Sequence, residues 1–346
     1  MEIGSEFCNA PLCKAEKSNS NENKIFTLSG RTALELVARD LKEERGVKSI
    51  YMPAYCCEAM MAPFKKQGYT IKRYAVEPYS KTIHRQVFSD HGCDAILLMD
   101  YFGFECKETA VFAMAEQLRG TAVILDRVHT AFSDTEACNF ADYTVTSWRK
   151  WFLSCAAEAE KKCGDWLVAQ PTQTNERYIS LRKEAAAIKD SFAETGENEA
   201  EHSAEFREAE ELLDRDYSDY APDDESIREL AAIDSEFIIS HRRKNAALIY
   251  KELSKLPAEL IRPLFAEIGE RDVPLYVPVL VKPEIRANLR RHLMQNDVFC
   301  PIHWQMELGG ANKLYDGELS LVCDQRYDEE DIKREMLLIA EFFENI

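Results

Sequence analysis

Residues 121–151, TAVILDRVHTAFSDTEACNFADYTVTSWRKW, decide the fold. Residues 122–125 form a short apolar run rich in β-branched side chains, which predicts a strand buried on both faces in a parallel sheet, and the run ends on Asp126. His129 follows. A second strand-like run, residues 142–146, leads to Ser147 and then to Lys150. Ligands of open parallel sheets bind beyond the carboxyl ends of the strands, so an acid closing one strand and a lysine just past the next converge on one crevice.

A carboxylate, an imidazole or aromatic ring and a lysine are the groups that hold pyridoxal 5'-phosphate. The lysine forms a Schiff base, the acid keeps the pyridinium nitrogen protonated, and the cofactor then acts as an electron sink. Ser147 offers a hydroxyl to the phosphate. In this order and separation the pieces resemble the DegT/DnrJ/EryC1/StrS sugar aminotransferases, a group of the fold-type-I pyridoxal-phosphate enzymes. In that group the acid lies in an Asp-x-x-His/Gln motif, matched by Asp126 and His129. The Schiff-base lysine closes a Ser-rich strand end, matched by Ser147 and Lys150. The resemblance implies an α/β chain: a doubly wound, mostly parallel large-domain sheet and a smaller α+β C-terminal domain.

Upstream, Ser29-Gly30 precedes a helical apolar pattern through Leu34, Leu36, Val37 and Leu41. The free N–H groups and positive dipole end of such a helix make an anion site. In the resembled family a Ser-Gly-Thr-x-Ala-Leu turn holds the cofactor phosphate, which assigns Gly30, Arg31 and Thr32 to cofactor binding. Arg31 replaces the usual threonine and either adds charge to the phosphate or points away. Residues 53–57, Pro-Ala-Tyr-Cys-Cys, occupy the place where the family sets an aromatic over the cofactor ring. Cys57 stands at the family's Trp or Phe position, so stacking falls to Tyr55, to His129 or to neither, and a core role for Tyr55 is the equal alternative. Strand-like runs at 49–52, 70–76 and 95–100, with helical spacing at 111–118, give the strand–helix rhythm of a doubly wound domain.

Downstream the likeness loosens. The family's Pro-Asp-Gly-Gly turn after the lysine is replaced by residues 152–160, FLSCAAEAE, before Gly164, Asp165 and a strand at 166–169. Residues 175–236 read as helical, with the acidic run at 197–211 on a solvated face; residues 237–256, carrying His241 to Asn245, read as the helix joining two domains, its basic cluster also solvated. Strand-like 273–281, helical 286–296 and an amphipathic helix at 328–343 complete a small domain. Its Pro-x-His-Trp and Cys-Asp-Gln-Arg-Tyr segments resemble the family's C-terminal stretches. They assign His303, Trp304 and Arg326 to the substrate side, with pairing of Arg326 to Asp324 as the structural alternative. The expected divisions are an exposed arm at 1–25 that packs little by itself, a large cofactor-binding domain at 26–238 and a small domain at 239–346.

A net charge of −18 argues against broad contact with nucleic acid or an anionic membrane, since phosphate binding needs a basic face. No apolar run approaches the ~20 residues a membrane helix requires. The cysteines form no Cys-x-x-Cys pair, no leader precedes them, and no Cys/His cluster completes a metal site, so the expectation is a cytoplasmic protein with structural or pocket-lining thiols and no metal.

The resemblance implies an aminotransferase and a homodimer. Lys150 and Asp126 are the catalytic residues, and the amino group passes from glutamate or another amino acid to a keto-sugar, often nucleotide-linked. Two alternatives stay open on sequence: another pyridoxal-phosphate reaction of dehydratase or decarboxylase type, and a non-catalytic dimeric relative that keeps only the fold.

Overall fold

The computed structural model describes residues 2–13, 23–79, 82–86, 91–195, 199–304 and 313–345. After β1 (Ile3–Gly4) and β2 (Lys24–Thr27), α1 (Gly30–Arg45) begins at an N-cap, Ser29, whose side chain accepts the Thr32 N–H, and ends at Gly46 in the left-handed region. There follow β3 (Ser49–Pro53), α2 (Glu58–Lys66), β4 (Thr70–Tyr79), β5 (Thr82–Gln86), β6 (Ala95–Met99), α3 (Lys107–Arg119), β7 (Ala122–Asp126), β8 (Tyr143–Ser147) and β9 (Ala157–Lys161). These strands form one eight-stranded sheet in the order β2-β9-β8-β7-β6-β3-β4-β5. The run from β8 to β4 is parallel, and β2, β9 and β5 are antiparallel additions at the edges.

All residues of β6, β7 and β8 are buried. Covered on both faces, such strands need continuous apolar runs rather than alternation, and each fully buried Ile or Leu there contributes about 1.5–3 kcal/mol. The register sets Asp126 beside Met99 on one side and Val145 on the other, so the acid emerges at the carboxyl edge of the sheet.

Beyond the sheet, β10 (Gln173–Thr174) pairs with β11 (Tyr220–Ala221) around the antiparallel helices α4 (Glu176–Thr195) and α5 (Glu199–Arg215). Next come α6 (Asp224–Ala231) and α7 (Ser235–Leu253), each started by an aspartate N-cap. A second core gathers around the antiparallel sheet of β12 (Ile261–Pro263), β13 (Val277–Val281) and β15 (Glu318–Leu321), covered by α7, α8 (Pro283–Met294) and α10 (Glu329–Glu344). The short β14 (Val298–Phe299) joins it, whereas α9 (Lys313–Gly317) sets Leu314 and Tyr315 into the core of the large sheet.

Four expectations need correction. The strand after the lysine is 157–161, not 166–169: the Leu167 N–H goes to the buried carboxylate of Asp40 at 2.6 Å instead of a ladder, while Ala159 pairs with Val145 and Ile25. The beginning of the chain is not a loose arm. β1 pairs with β14, Ile3 is fully buried in the second core, and Phe7 lies under the Arg326 guanidinium at 4.2 Å; of the polar stretch at 17–24, only Asn23 and Lys24 fall within the described residues. The basic cluster on α7 is not a solvated face, because Arg242 and Asn245 lie on its buried stripe. Arg242 stacks on Trp151 at 4.6 Å and donates to Gln325 at 2.8 Å and the Leu275 carbonyl at 2.9 Å, bolting α7 to the residue after Lys150. The acidic run on α5 is not wholly solvated either, since Glu210 pairs with Arg149.

Gly103 shows how closely the chain segments approach. At φ +91, it would place a Cβ 2.0 Å from the Val273 carbonyl oxygen. Gly103→Ala is expected to cost about 3 kcal/mol, from the clash and the left-handed backbone together, read as a lowered midpoint in denaturant unfolding.

Candidate active site

The site is built where three elements end. Asp126 closes β7, Ser147 closes β8 and Lys150 lies on the short turn after it, while the N-terminus of α1 arrives from the side. Gly30 allows that approach: a Cβ there would meet the Ser147 Cβ at 3.2 Å. The first intrahelical bond of α1 is Ala33 N–H to the Ser29 carbonyl, so the N–H groups of Gly30 and Arg31 precede the helical ladder, and no acid lies in the first turn. This corner suits an anion. Gly30→Ala is expected to weaken phosphate-group binding about tenfold through that crowding, measurable as the dissociation constant for pyridoxal phosphate by tryptophan fluorescence.

A cavity of about 290 Å³ opens here. Of the residues chosen from sequence, Gly30, Arg31, Asp126, His129, Ser147, Lys150, His303 and Trp304 line it. Thr32, Tyr55 and Arg326 do not. Thr32 is buried beneath the helix start, its hydroxyl donating to the Tyr217 carbonyl at 2.6 Å. Tyr55 is fully buried, donates to the His303 carbonyl and packs edge-on to Trp304, so it supports the cavity wall from behind. Arg326 forms a two-point pair with Asp324, at 3.0 and 2.8 Å, and donates to the Glu6 carbonyl. The lining also includes Cys57, at the family's aromatic position, and Val128, Arg149, Leu213 and Tyr276, which sequence reasoning did not assign to the site. Val128 and Arg149 had a signal, being beside Asp126 and Lys150 in the deciding stretch; Leu213 and Tyr276 had none.

Burial raises the Asp126 carboxyl to about 6, offset only in part by the Val128 N–H donating to it at 2.8 Å. Among the described residues no basic side chain pairs with it. An acid buried beside a cavity without a counter-charge is the partner a pyridinium N–H requires, so Asp126 fits the ring nitrogen of pyridoxal phosphate. The anion corner at Gly30, Arg31 and Ser147 fits its phosphate. Lys150 opens onto the cavity, and the packed surroundings, followed by the Arg149 charge, lower its amine below the ordinary lysine value; Glu6 and Glu210 offset this in part. Burial, then His303 and Lys150, hold His129 well below the ordinary imidazole value, so its ring is neutral. Arg149 pairs with Glu210 and Arg31 with Asp214, both acids on α5. Burial alone would raise Glu210, but Arg149 and Arg182 outweigh it and bring the carboxyl to about 2.

No family profile and no curated protein matches the sequence. Solved structures match its fold. The Helicobacter pylori aminotransferase PseC, involved in the biosynthesis of pseudoaminic acid, superposes with a TM-score of 0.65 over 99% of this chain and 100% of its own at 12% identity. This chain has the fold that these solved aminotransferases share. NtdA from Bacillus subtilis, solved with bound cofactor PMP, gives 0.65 over 92% of this chain and 72% of its own at 14% identity. DesI, solved in the presence of its TDP-sugar product, gives 0.62 over 91% and 79% at 15% identity. The sheet of this aminotransferase fold carries the cavity at its carboxyl edge, where Asp126 and Lys150 meet. Neither a candidate metal cluster nor a helix long and apolar enough to cross a membrane occurs among the described residues.

Proposed function

We propose that the chain is a pyridoxal-phosphate-dependent aminotransferase. It moves an amino group from an amino acid, glutamate first among candidates, to a keto-sugar. The observation that carries this is the buried, uncompensated carboxyl of Asp126 on the same cavity as the Lys150 amine and the anion corner of α1.

Bound there, pyridoxal phosphate would supply a carbonyl carbon for amine exchange and a ring that takes up an electron pair. Asp126 would hold the proton on the ring nitrogen. Lys150, its amine lowered below the ordinary lysine value by burial and then by Arg149, would be the nucleophile and would hold and release a proton at Nζ. His129, neutral and fixed by the Phe102 N–H donating to its Nδ1 at 3.2 Å, would brace the cofactor's ring or its phenolic oxygen. Gly30, Arg31 and Ser147 would hold the phosphate. The sugar acceptor rests on the company of the fold: pseudoaminic acid biosynthesis for PseC and a TDP-sugar product for DesI.

The division we propose is 26–238 for binding the cofactor and 239–346 for closing the substrate side, although Ile3 packs in the second core and Leu264, Phe265, Leu314 and Tyr315 pack in the core of the large sheet. The homodimer implied by resemblance has a face available on α3, where Val111, Met114 and Leu118 are 57%, 41% and 81% exposed at helical spacing. The eleven cysteines are all free thiols, which suits a reducing cytoplasm. The deciding experiment is incubation of the pyridoxal-phosphate-loaded protein with glutamate: release of 2-oxoglutarate with bleaching of the visible band is expected. A band that glutamate leaves unchanged, with no 2-oxoglutarate, would remove glutamate as donor, and the same result across the common amino acids would end the transaminase reading.

A further inference from the structure

Two histidines face each other on the cavity wall, ring centroids 5.5 Å apart and planes at 80°, and their hydrogen bonds leave them in opposite states. His129 Nδ1 accepts from the Phe102 N–H, so in the neutral ring the proton is on Nε2. His303 is connected the other way. Its Nδ1 lies 3.0 Å from Ser320 Oγ, and Ser320 Oγ donates to Glu318 Oε1 at 2.6 Å. A hydroxyl has one proton. With that proton committed to the carboxylate, Ser320 accepts from His303, which places the imidazole proton on Nδ1 and leaves the lone pair on Nε2.

Glu318 is fully buried, and its second oxygen accepts the His303 backbone N–H at 2.6 Å, so carboxylate, hydroxyl and imidazole are tied at three points. The His303 ring is further held by Phe102 and Tyr276, each with its centroid 5.3 Å away. Among the described residues nothing hydrogen-bonds to Nε2. A buried carboxylate directed through a hydroxyl at the far nitrogen of a cavity imidazole strengthens the acceptor at the near one.

We propose that His303 Nε2 accepts a hydrogen bond from a hydroxyl of the amino-acceptor substrate, and that Glu318 and Ser320 are the positioning residues that hold it in that state. A hydroxylated ketone satisfies this lone pair. A carboxylate presented to it does not, so His303 favours at this position a hydroxyl of a polyhydroxylated acceptor; a site built to bind a hydroxyl discriminates strongly against the analogue lacking it. This substrate half rests on the amino transfer to a keto-sugar proposed above, whereas the state of the imidazole does not.

The test is a long-range proton–nitrogen NMR correlation of the imidazoles in the intact, cofactor-free protein, with His303→Asn identifying the resonances. Wild type is expected to show protonated Nδ1 and unprotonated Nε2 at His303, while Ser320→Ala and Glu318→Gln, both measured in case one misfolds, give mixed tautomers. A wild-type His303 protonated on Nε2, or a folded Ser320→Ala protein with an unchanged tautomer, overturns the positioning claim. TDP-glucose, used as the hydroxylated probe, is expected to move the His303 Nε2 resonance at saturation. If it moves no cavity resonance, or moves others and leaves Nε2 in place, the substrate claim is overturned. Because no measurement here needs pyridoxal phosphate, failure of the transaminase reading stays distinguishable from failure of this one.

Discussion

Lys150→Ala is expected to lower turnover by a factor on the order of 10⁴ or more while leaving the thermal midpoint within about 2 °C of wild type. The two halves of this expectation come from the same geometry. The Lys150 side chain opens onto the cavity rather than into either core, so removing it takes away little packing. Its amine is the group on the cavity wall suited to act first as nucleophile and then as proton carrier, and burial, then the Arg149 charge, lower its basicity below that of an ordinary lysine. Neighbouring Arg149 cannot substitute, because a guanidinium stays protonated and is committed to Glu210. Steady-state rates with glutamate and a keto-sugar acceptor, alongside thermal unfolding, check both halves. Partial rescue of the alanine variant by added methylamine is the expected sign that an amine, not a fold, was lost.

Asp126→Asn should separate function from stability in the opposite sense. In the cofactor-free protein the carboxyl is raised from its ordinary value of 3.8 to about 6 by burial. A group raised on folding favours the folded state fully below its unfolded value, and that contribution is lost as pH rises through the folded value, here between about pH 4 and pH 6. Above pH 6 the ionised acid therefore destabilises the cofactor-free protein by up to about 3 kcal/mol, at roughly 1.4 kcal/mol per unit. The asparagine variant, which keeps the oxygen that accepts the Val128 N–H, is expected to recover part of that at pH 8 and to lose this segment of the pH dependence. Its activity should fall by a factor on the order of 10²–10³, because a neutral amide no longer holds the ring nitrogen protonated. Denaturant unfolding at pH 4, 6 and 8 for both proteins, with parallel assays, reads both effects. An asparagine variant that is less stable than wild type at pH 8 and fully active would refute the assignment of Asp126.

The deciding stretch was legible because its physics is local. Residues 122–126 and 143–147 are buried on both faces, so their sequences had to be continuous apolar or β-branched runs, and the polar residues at their ends stand out. The anion corner was legible for the same reason: Ser29-Gly30 before a helix is a cap and a close approach at once. β9 was missed because it is written Ala-Glu-Ala-Glu-Lys, an alternating pattern built from residues with weak strand preference, and only its pairing with β8 and β2 makes it a strand. On α7 the charges of residues 241–244 drew attention away from the period of its buried stripe, which includes Arg242. Tyr55 takes the core role and Arg326 the pairing with Asp324 that the sequence left open as alternatives, and each adds a contact far off in the chain, the His303 carbonyl and the Glu6 carbonyl. No spacing rule reports such contacts. Trp304, chosen from a C-terminal motif, does line the cavity and stacks on His129 with centroids 5.6 Å apart.

The central claim is that this cavity holds pyridoxal phosphate through Lys150. It is tested most directly by adding one equivalent of the cofactor to the purified protein, reducing with borohydride and mapping the modified lysine by peptide mass spectrometry. The expected result is a single stoichiometric pyridoxyl adduct on Lys150, lost when excess inorganic phosphate competes for the anion corner. An adduct spread over surface lysines, with Lys150 unmodified, would contradict it.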